Sequence, residues 1–244
     1  MILQEVIKYL NFVMFGFFSY VYFFRLLGVK KNAKVALITI VLYLIFFDYL
    51  FLGKIVYNIL KEQFPSGLKY YLIYFFQITV SQICFTAIIS ALFKGDILKK
   101  IAVSTIYFVV CELVEYGVSP IFQRTLDLIV EHTKTEISPL IFTFISVLTY
   151  IITCILLHII SKFCKNLRSN LPKKILVLLC IPSLFILLML EFVILICDKI
   201  QVFHMLYISE LTSNFPLFYQ TIDIAIIFVM AVMGLSANLI IVLG

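Results

Sequence analysis

Seven long runs of apolar residues, separated by shorter polar and basic connections, divide the chain. They cover approximately Val6–Phe24, Val35–Leu52, Tyr70–Phe93, Ile101–Phe122, Ile137–Ile160, Ile175–Cys197 and Leu217–Leu243. Each run approaches the roughly 20 residues that a helix needs to cross a bilayer. Because lipid leaves exposed backbone N–H and C=O groups unsatisfied, continuous apolar runs favour helices over the alternating strands of a barrel. The pattern therefore predicts an all-α, polytopic transmembrane helix bundle with about seven spans.

The basic residues are concentrated in alternate connections. Twelve of the 19 lie in the first, third and fifth connections, and the other seven face the opposite side. The twelve are Arg25, Lys30, Lys31, Lys34, Lys94, Lys99, Lys100, Lys162, Lys165, Arg168, Lys173 and Lys174. Since Lys and Arg are enriched in cytoplasmic loops, we expect an N-terminus outside and a cytoplasmic C-terminus. Without a low-complexity linker or a convincing internal repeat, residues 1–244 are predicted to form a single membrane domain.

Composition narrows the class of protein further. The chain is 64% apolar and only 13% charged, whereas soluble domains have about a quarter charged residues. This excludes soluble enzymes, nucleic-acid modules and disulfide-stapled secreted domains, and it predicts a multi-pass protein of the cell membrane whose first partner is the lipid bilayer. The net charge of +6 follows from the short basic connections, so no nucleic-acid partner is expected. The six cysteines are widely spaced and are interpreted as buried free thiols.

No motif for catalysis or cofactor binding is present in the sequence. There is no HExxH pair for zinc, no GxSxG nucleophile elbow and no Walker loop for ATP. We therefore expect no catalytic residues, no metal and no cofactor within these 244 residues. The three histidines, His132, His158 and His204, are scattered.

Ionisable residues within the apolar runs are the best indication of a functional site. Each costs at least ~2.5 kcal/mol at the bilayer centre on insertion scales. Glu112 and Glu115, at positions i and i+3, are predicted to share one face of the fourth helix. Such a pair could hold a proton, a cation or a positively charged ligand group. Alternatively, both carboxylates reach outer water, since Ser119-Pro120 ends the helix soon afterwards.

Other polar residues within or at the ends of the apolar runs follow the same reasoning. They are Asp48, Gln77, Gln82, Glu191, Gln220 and Asp223. Structural capping would also account for a carboxylate at a helix N-terminus. Of the thirteen acidic residues, only one lies in a predicted cytoplasmic connection. We therefore expect an acid-lined cavity that opens outward, with Glu112, Glu115, Asp48, Glu191, Asp223 and Gln220 as its ligand-binding residues.

Several short stretches resemble the membrane region of AgrC-like sensor histidine kinases, which carry a GHKL-type ATPase domain. These stretches are Phe23–Lys31, Leu92–Ile101 with Glu112 after it, Leu171–Lys174 running to Ile181-Pro182-Ser183, and Asn238. The resemblance implies a bacterial membrane sensor of six or seven helices that detects an extracellular peptide or small ligand, as in quorum sensing. It also implies a homodimer in a two-component system. Kinase activity would require a cytoplasmic kinase region after Gly244.

Two other functions compete with the sensor interpretation. A small-molecule or ion transporter subunit would also use intramembrane carboxylates. A membrane peptidase would need a nucleophile and a base on one helix face, and Cys154 and His158 are spaced at i and i+4.

Overall fold

The computed structural model describes residues 2–30, 32–56, 58, 68–112, 114–115, 122, 139–164, 172 and 175–177. Its helices are α1 (Ile2–Leu27), α2 (Ala33–Leu42), α3 (Leu68–Leu92), α4 (Ile97–Glu112) and α5 (Pro139–Phe163). A π-type helical segment, Tyr43–Val56, continues α2. Every long regular element in this part of the chain is helical, which confirms the all-α prediction.

Three helices among the described residues are long and apolar enough to cross a membrane. They comprise Glu5–Leu27, Ala33–Phe51 and Thr143–Phe163, and a shorter apolar helix covers Thr79–Leu92. These helices indicate a membrane protein in contact with a lipid bilayer. Of the sixth predicted run, only its first three residues are described, and the seventh run lies outside the described residues.

Helix α1 has two faces that differ in exposure rather than in polarity. Its buried face contains Phe15, Ser19, Tyr22, Phe23 and Leu26, whereas its exposed face presents Val6, Leu10, Val13, Phe17 and Phe24. In a soluble protein an extended exposed apolar face would favour association or aggregation. Contact with lipid tails accounts for it directly.

Helix α1 lies at the centre of the described bundle, and the helices alternate in direction around it. Phe12 and Phe15 each pack against Tyr150 of α5, with ring centroids 5.6 Å apart. Near the end of α1, Arg25 approaches Ser161 near the end of α5, so these two helices run in the same direction. The Tyr22 hydroxyl donates to the Val103 carbonyl near the start of α4 (3.0 Å), so α4 runs in the opposite direction.

An aromatic cluster joins α1 to α3 and α4. Phe23 lies 5.8 Å from Phe85, 5.7 Å from Phe93 and 5.2 Å from Tyr107, measured between ring centroids. Phe85 also stacks on Tyr107 at 5.3 Å. Rings at these separations contribute beyond the apolar area that they bury. The cluster lies toward the end of the bundle where α1 and α3 terminate.

The turns after α1 and α3 are joined by main-chain hydrogen bonds. Val29 and Phe93 form an antiparallel bridge, in which the Lys30 amide donates to the Leu92 carbonyl (3.0 Å) and the Lys94 amide to the Gly28 carbonyl (2.9 Å). Gly28 begins its turn at a φ of 71°, in the left-handed region that favours glycine. The first and third basic connections therefore lie at the same end of the bundle, as the alternation of charge predicts.

Candidate functional site

A carboxylate and a carboxamide meet between α3 and α4. The Gln82 Nε2 group donates to Glu112 Oε1 at 3.4 Å, and both side chains are partly buried. Counted at 1.5 Å per residue, Glu112 lies about 18 Å along α4 from Lys100. Gln82 lies about 15 Å along α3 from Leu92. The two residues are thus at similar distances from the joined turns.

Glu115 has a different environment from Glu112. It is exposed and belongs to a wider π-type turn after α4, with buried Val114 beside it. Helix α4 ends at Glu112, and the predicted pairing of Glu112 with Glu115 on one face stays a prediction. The hydrogen bond from Gln82 shows that Glu112 is directed toward α3, whereas Glu115 is accessible. Wider helical turns are frequent at functional sites.

The remaining predicted site residues are only partly covered by the structure. Asp48 lies within the π-type segment Tyr43–Val56. Glu191, Gln220 and Asp223 lie outside the described residues, so the predicted cavity among these residues stays a prediction. Gln82, the partner of Glu112, was identifiable in the sequence only as one of several intramembrane glutamines.

A second polar contact lies at the end of α1 remote from the joined turns. The Tyr49 hydroxyl donates to Glu5 Oε2 at 3.3 Å, and Lys8 lies 3.7 Å from Glu5 Oε1. Tyr49 also packs against Phe12 with centroids 4.7 Å apart. These contacts connect the start of α1 with the π-type segment that contains Asp48. They place a carboxylate at the same end as the C-terminus of α4.

The opposite end of the bundle is basic. Arg25 Nη1 lies 3.3 Å from Nδ1 and 3.4 Å from Nε2 of His158, and it donates to the Ser161 hydroxyl at 3.3 Å. The His158 ring thus faces Arg25 on α1. Cys154 is buried with 2% exposure, which is unfavourable for a nucleophile that must reach a peptide. These environments give the peptidase alternative no support.

Two lysines at the start of α4, next to the joined turns, are buried. Lys99 and Lys100 are 9% and 6% exposed. The ammonium groups of Lys30 and Lys100 both donate to the Ser90 carbonyl at 2.9 Å. Burial, followed by the neighbouring charge of Lys30, lowers the pKa of Lys100 below its usual range. In the sequence, these lysines indicate only the orientation of the chain.

Within the described part of the chain, no group of three or more His, Cys, Asp or Glu side chains has the arrangement of a metal site. Comparisons with protein-family models, with curated proteins and with solved structures gave no match. The arrangement of residues in the site is therefore the basis for proposing a function.

Proposed function

We propose that the chain is the membrane-embedded sensing domain of a two-component histidine kinase that detects an extracellular peptide or small ligand. In this proposal about seven helices cross the membrane, with the N-terminus outside and the C-terminus in the cytoplasm. The resemblance to AgrC-like sensors supports the class of protein. The clustering of the first and third basic turns at one end supports the orientation, because such residues are retained in the cytoplasm.

The observation that carries the proposal is the Gln82–Glu112 contact. With the membrane boundary near Lys100, the ~18 Å position of Glu112 falls near the middle of a hydrocarbon core about 30 Å thick. Ionisable residues at this depth are costly and commonly mark ligand or ion sites. The 3.4 Å hydrogen bond is long for an N–H donor. A cationic or hydrogen-bonding ligand group could take the place of Gln82.

Ligand binding at this contact would be transmitted through helix packing. A ligand shifts a two-state equilibrium only through different affinities for the two states. Exchange of the Gln82–Glu112 hydrogen bond would alter how α3 packs against α4. In the proposed sensor, this change reaches the last helix and then a cytoplasmic kinase region in a homodimer. Asp48, Glu115, Glu191, Gln220 and Asp223 are proposed as further ligand contacts.

The test is Glu112→Gln in the chain fused to a histidine kinase region. Autophosphorylation is measured against increasing amounts of spent medium from the native bacterium. Loss of one charge-assisted contact is expected to raise the half-maximal dose about tenfold or more. Glu5→Gln makes the same chemical change at the outer end of α1. Its half-maximal dose is expected to stay within about twofold of that of the unaltered chain. An unchanged dose–response for Glu112→Gln would remove Glu112 from the ligand site.

A transporter subunit is the second candidate, and the same intramembrane carboxylate favours it. Glu112 could couple solute movement to a proton or a cation. The sequence lacks a pair of Gly- or Pro-interrupted spans in matching positions of two halves, which is the usual indication of a transport site. Solute uptake by proteoliposomes that contain only this chain, abolished by Glu112→Gln, would support the transporter and contradict the sensor.

A further inference from the structure

Two lysines from different turns share one main-chain acceptor at the basic end of the bundle. The Nζ atoms of Lys30 and Lys100 both lie 2.9 Å from the Ser90 carbonyl oxygen, so they are less than about 6 Å apart. Lys100 is 94% buried, since only 6% of its surface is exposed. A single neutral carbonyl therefore serves two ammonium groups, one from the buried Lys100 and one from the exposed Lys30.

Counter-charge is scarce around this pair. Within the part of the chain that the structure describes, no carboxylate forms an ion pair with Lys30 or Lys100. Asp96, whose charge acts on Lys100, is itself exposed. Buried cations without a paired anion are unfavourable in proteins. A bound anion would remove this imbalance.

The residue that accepts from both lysines also carries a donor of its own. The Ser90 hydroxyl is buried and has no hydrogen-bond partner in the structure. Helix α4 begins here, and the Lys100 amide makes the helical bond to the Asp96 carbonyl (3.1 Å). Two ammonium groups and a hydroxyl are donors that can bind the oxygens of a phosphate.

The main chain holds these donors in place before any ligand arrives. The bridge between Val29 and Phe93 fixes Lys30 against the end of α3. Gly95, at a φ of 103°, then turns the chain so that α4 can begin close to α3. The site is therefore assembled from two turns that are already bonded to each other. Preorganisation of this kind reduces the entropy that binding must overcome.

We propose that the joined turns form a phosphate-binding site, with Lys30, Lys100 and the Ser90 hydroxyl as its donors, that takes the headgroup phosphate of an anionic phospholipid. Basic pockets between transmembrane helices on the cytoplasmic side are suited to such headgroups. The position at the boundary between the apolar run from Ile101 and the polar turn matches the depth of a headgroup phosphate. Free phosphate shares this chemistry, and the experiment separates the two sources.

The test uses the full chain purified in neutral detergent. It is titrated with short-chain phosphatidylglycerol, with phosphatidylcholine and with inorganic phosphate, and binding is followed by the shift in melting temperature and by native mass spectrometry. We expect one phosphatidylglycerol per chain to remain bound. If inorganic phosphate gave a response as large as that to phosphatidylglycerol, the site would be assigned to a free anion instead of a lipid. That result would overturn the headgroup assignment.

Lysine variants distinguish a built site from general surface charge. Lys30→Gln and Lys100→Gln are expected to weaken phosphatidylglycerol binding about tenfold. The matched control is Lys162→Gln, because Lys162 is exposed near the end of α5, at the same basic end of the bundle. This variant should weaken phosphatidylglycerol binding by less than about threefold. Lys100→Arg keeps the charge and should stay within about twofold of the unaltered chain. An equal loss in all three glutamine variants, or no loss in Lys30→Gln, would overturn the proposal.

Discussion

Two hydroxyl groups of α1, those of Ser19 and Tyr22, bond to oxygens of α4 and hold the two helices in register. The Ser19 hydroxyl lies 2.9 Å from the Tyr107 hydroxyl and donates to the Phe15 carbonyl at 2.7 Å. Tyr22 bonds the Val103 carbonyl on the same helix as Tyr107. Hydrogen bonds between membrane helices average only ~0.6 kcal/mol. Their main contribution is therefore to align α1 with α4, which in turn fixes the level of Glu112.

A cysteine at the basic end provides a test of burial at the scale of one residue. Cys164, directly after α5, is 3% exposed, and burial raises its pKa from 9.0 to about 11. The thiolate is the reactive form. At pH 8 we therefore expect alkylation by iodoacetamide about 100-fold slower than for an unshifted thiol. The measurement is the alkylation rate in a variant whose other five cysteines are replaced by alanine.

The direction of the pH effect follows from the raised pKa. In the folded protein Cys164 stays protonated up to about pH 11, while the thiol of the unfolded chain ionises near its ordinary pKa. Its contribution to stability is therefore complete below the ordinary pKa of 9.0 and is lost as the pH rises from there through the folded value of about 11. A cysteine introduced at exposed Lys162 is the control for reagent access. Equal alkylation rates at the two positions would contradict the burial of Cys164.

Single residues also show what the sequence could and could not predict about the site. Glu112 stands out because a carboxylate in an apolar run has a recognisable cost. Its contact with Gln82 depends on how two helices rotate against each other, which hydropathy does not specify. The burial of Lys100 was not predicted, because lysines between apolar runs usually lie in water or among headgroups. Only the bridge between two turns distant in sequence encloses it.

Close approach between α1 and α2 depends on one glycine. A Cβ atom on Gly16 would lie 2.8 Å from Cγ2 and 3.2 Å from Cα of Val41. Small residues allow membrane helices to pack this closely. Gly16→Leu is expected to lower the unfolding free energy by about 2–3 kcal/mol, and Gly16→Ala by about 1 kcal/mol. Thermal unfolding in detergent gives the measurement.

Two further variants test whether the Gly16 effect arises at this contact. Val13→Leu enlarges an exposed residue on the same helix and should change the stability by less than about 0.5 kcal/mol. Val41→Ala should reduce the cost of Gly16→Ala, because it removes the nearest side-chain atom. Additive effects of Gly16→Ala and Val41→Ala would contradict a direct contact.

At the scale of elements, the existence of helices was predictable, whereas their neighbours were not. The run predicted at Val6–Phe24 corresponds to α1, and the one at Ile137–Ile160 corresponds to α5. The extensive packing of α1 against α5 joins segments more than a hundred residues apart. Faces toward lipid and faces toward another helix are equally apolar, so the sequence pattern does not distinguish them. The π-type course of Tyr43–Val56 also has no counterpart in the hydropathy pattern.

The orientation of the whole molecule can be tested by labelling cysteines from outside. In a cysteine-free background, single cysteines replace exposed Lys34, Lys94 and Asn58, and intact cells are treated with a membrane-impermeant maleimide. The bridge between the turns requires Lys34 and Lys94 to lie on the same side. The proposed orientation puts both in the cytoplasm, so only Asn58→Cys should be labelled before the cells are opened.

Each labelling result bears on a different part of the interpretation. If intact cells were labelled at only one of Lys34→Cys and Lys94→Cys, the two residues would lie on opposite sides of the membrane. That result would contradict the joined turns and, with them, the phosphate site. If both variants were labelled in intact cells, the bundle would be as described but its orientation would be reversed. The end that contains Glu5 would then face the cytoplasm, and an external ligand would have to enter past the basic turns. The sensor proposal requires the opposite arrangement, because its last helix must deliver the signal to a kinase region inside the cell.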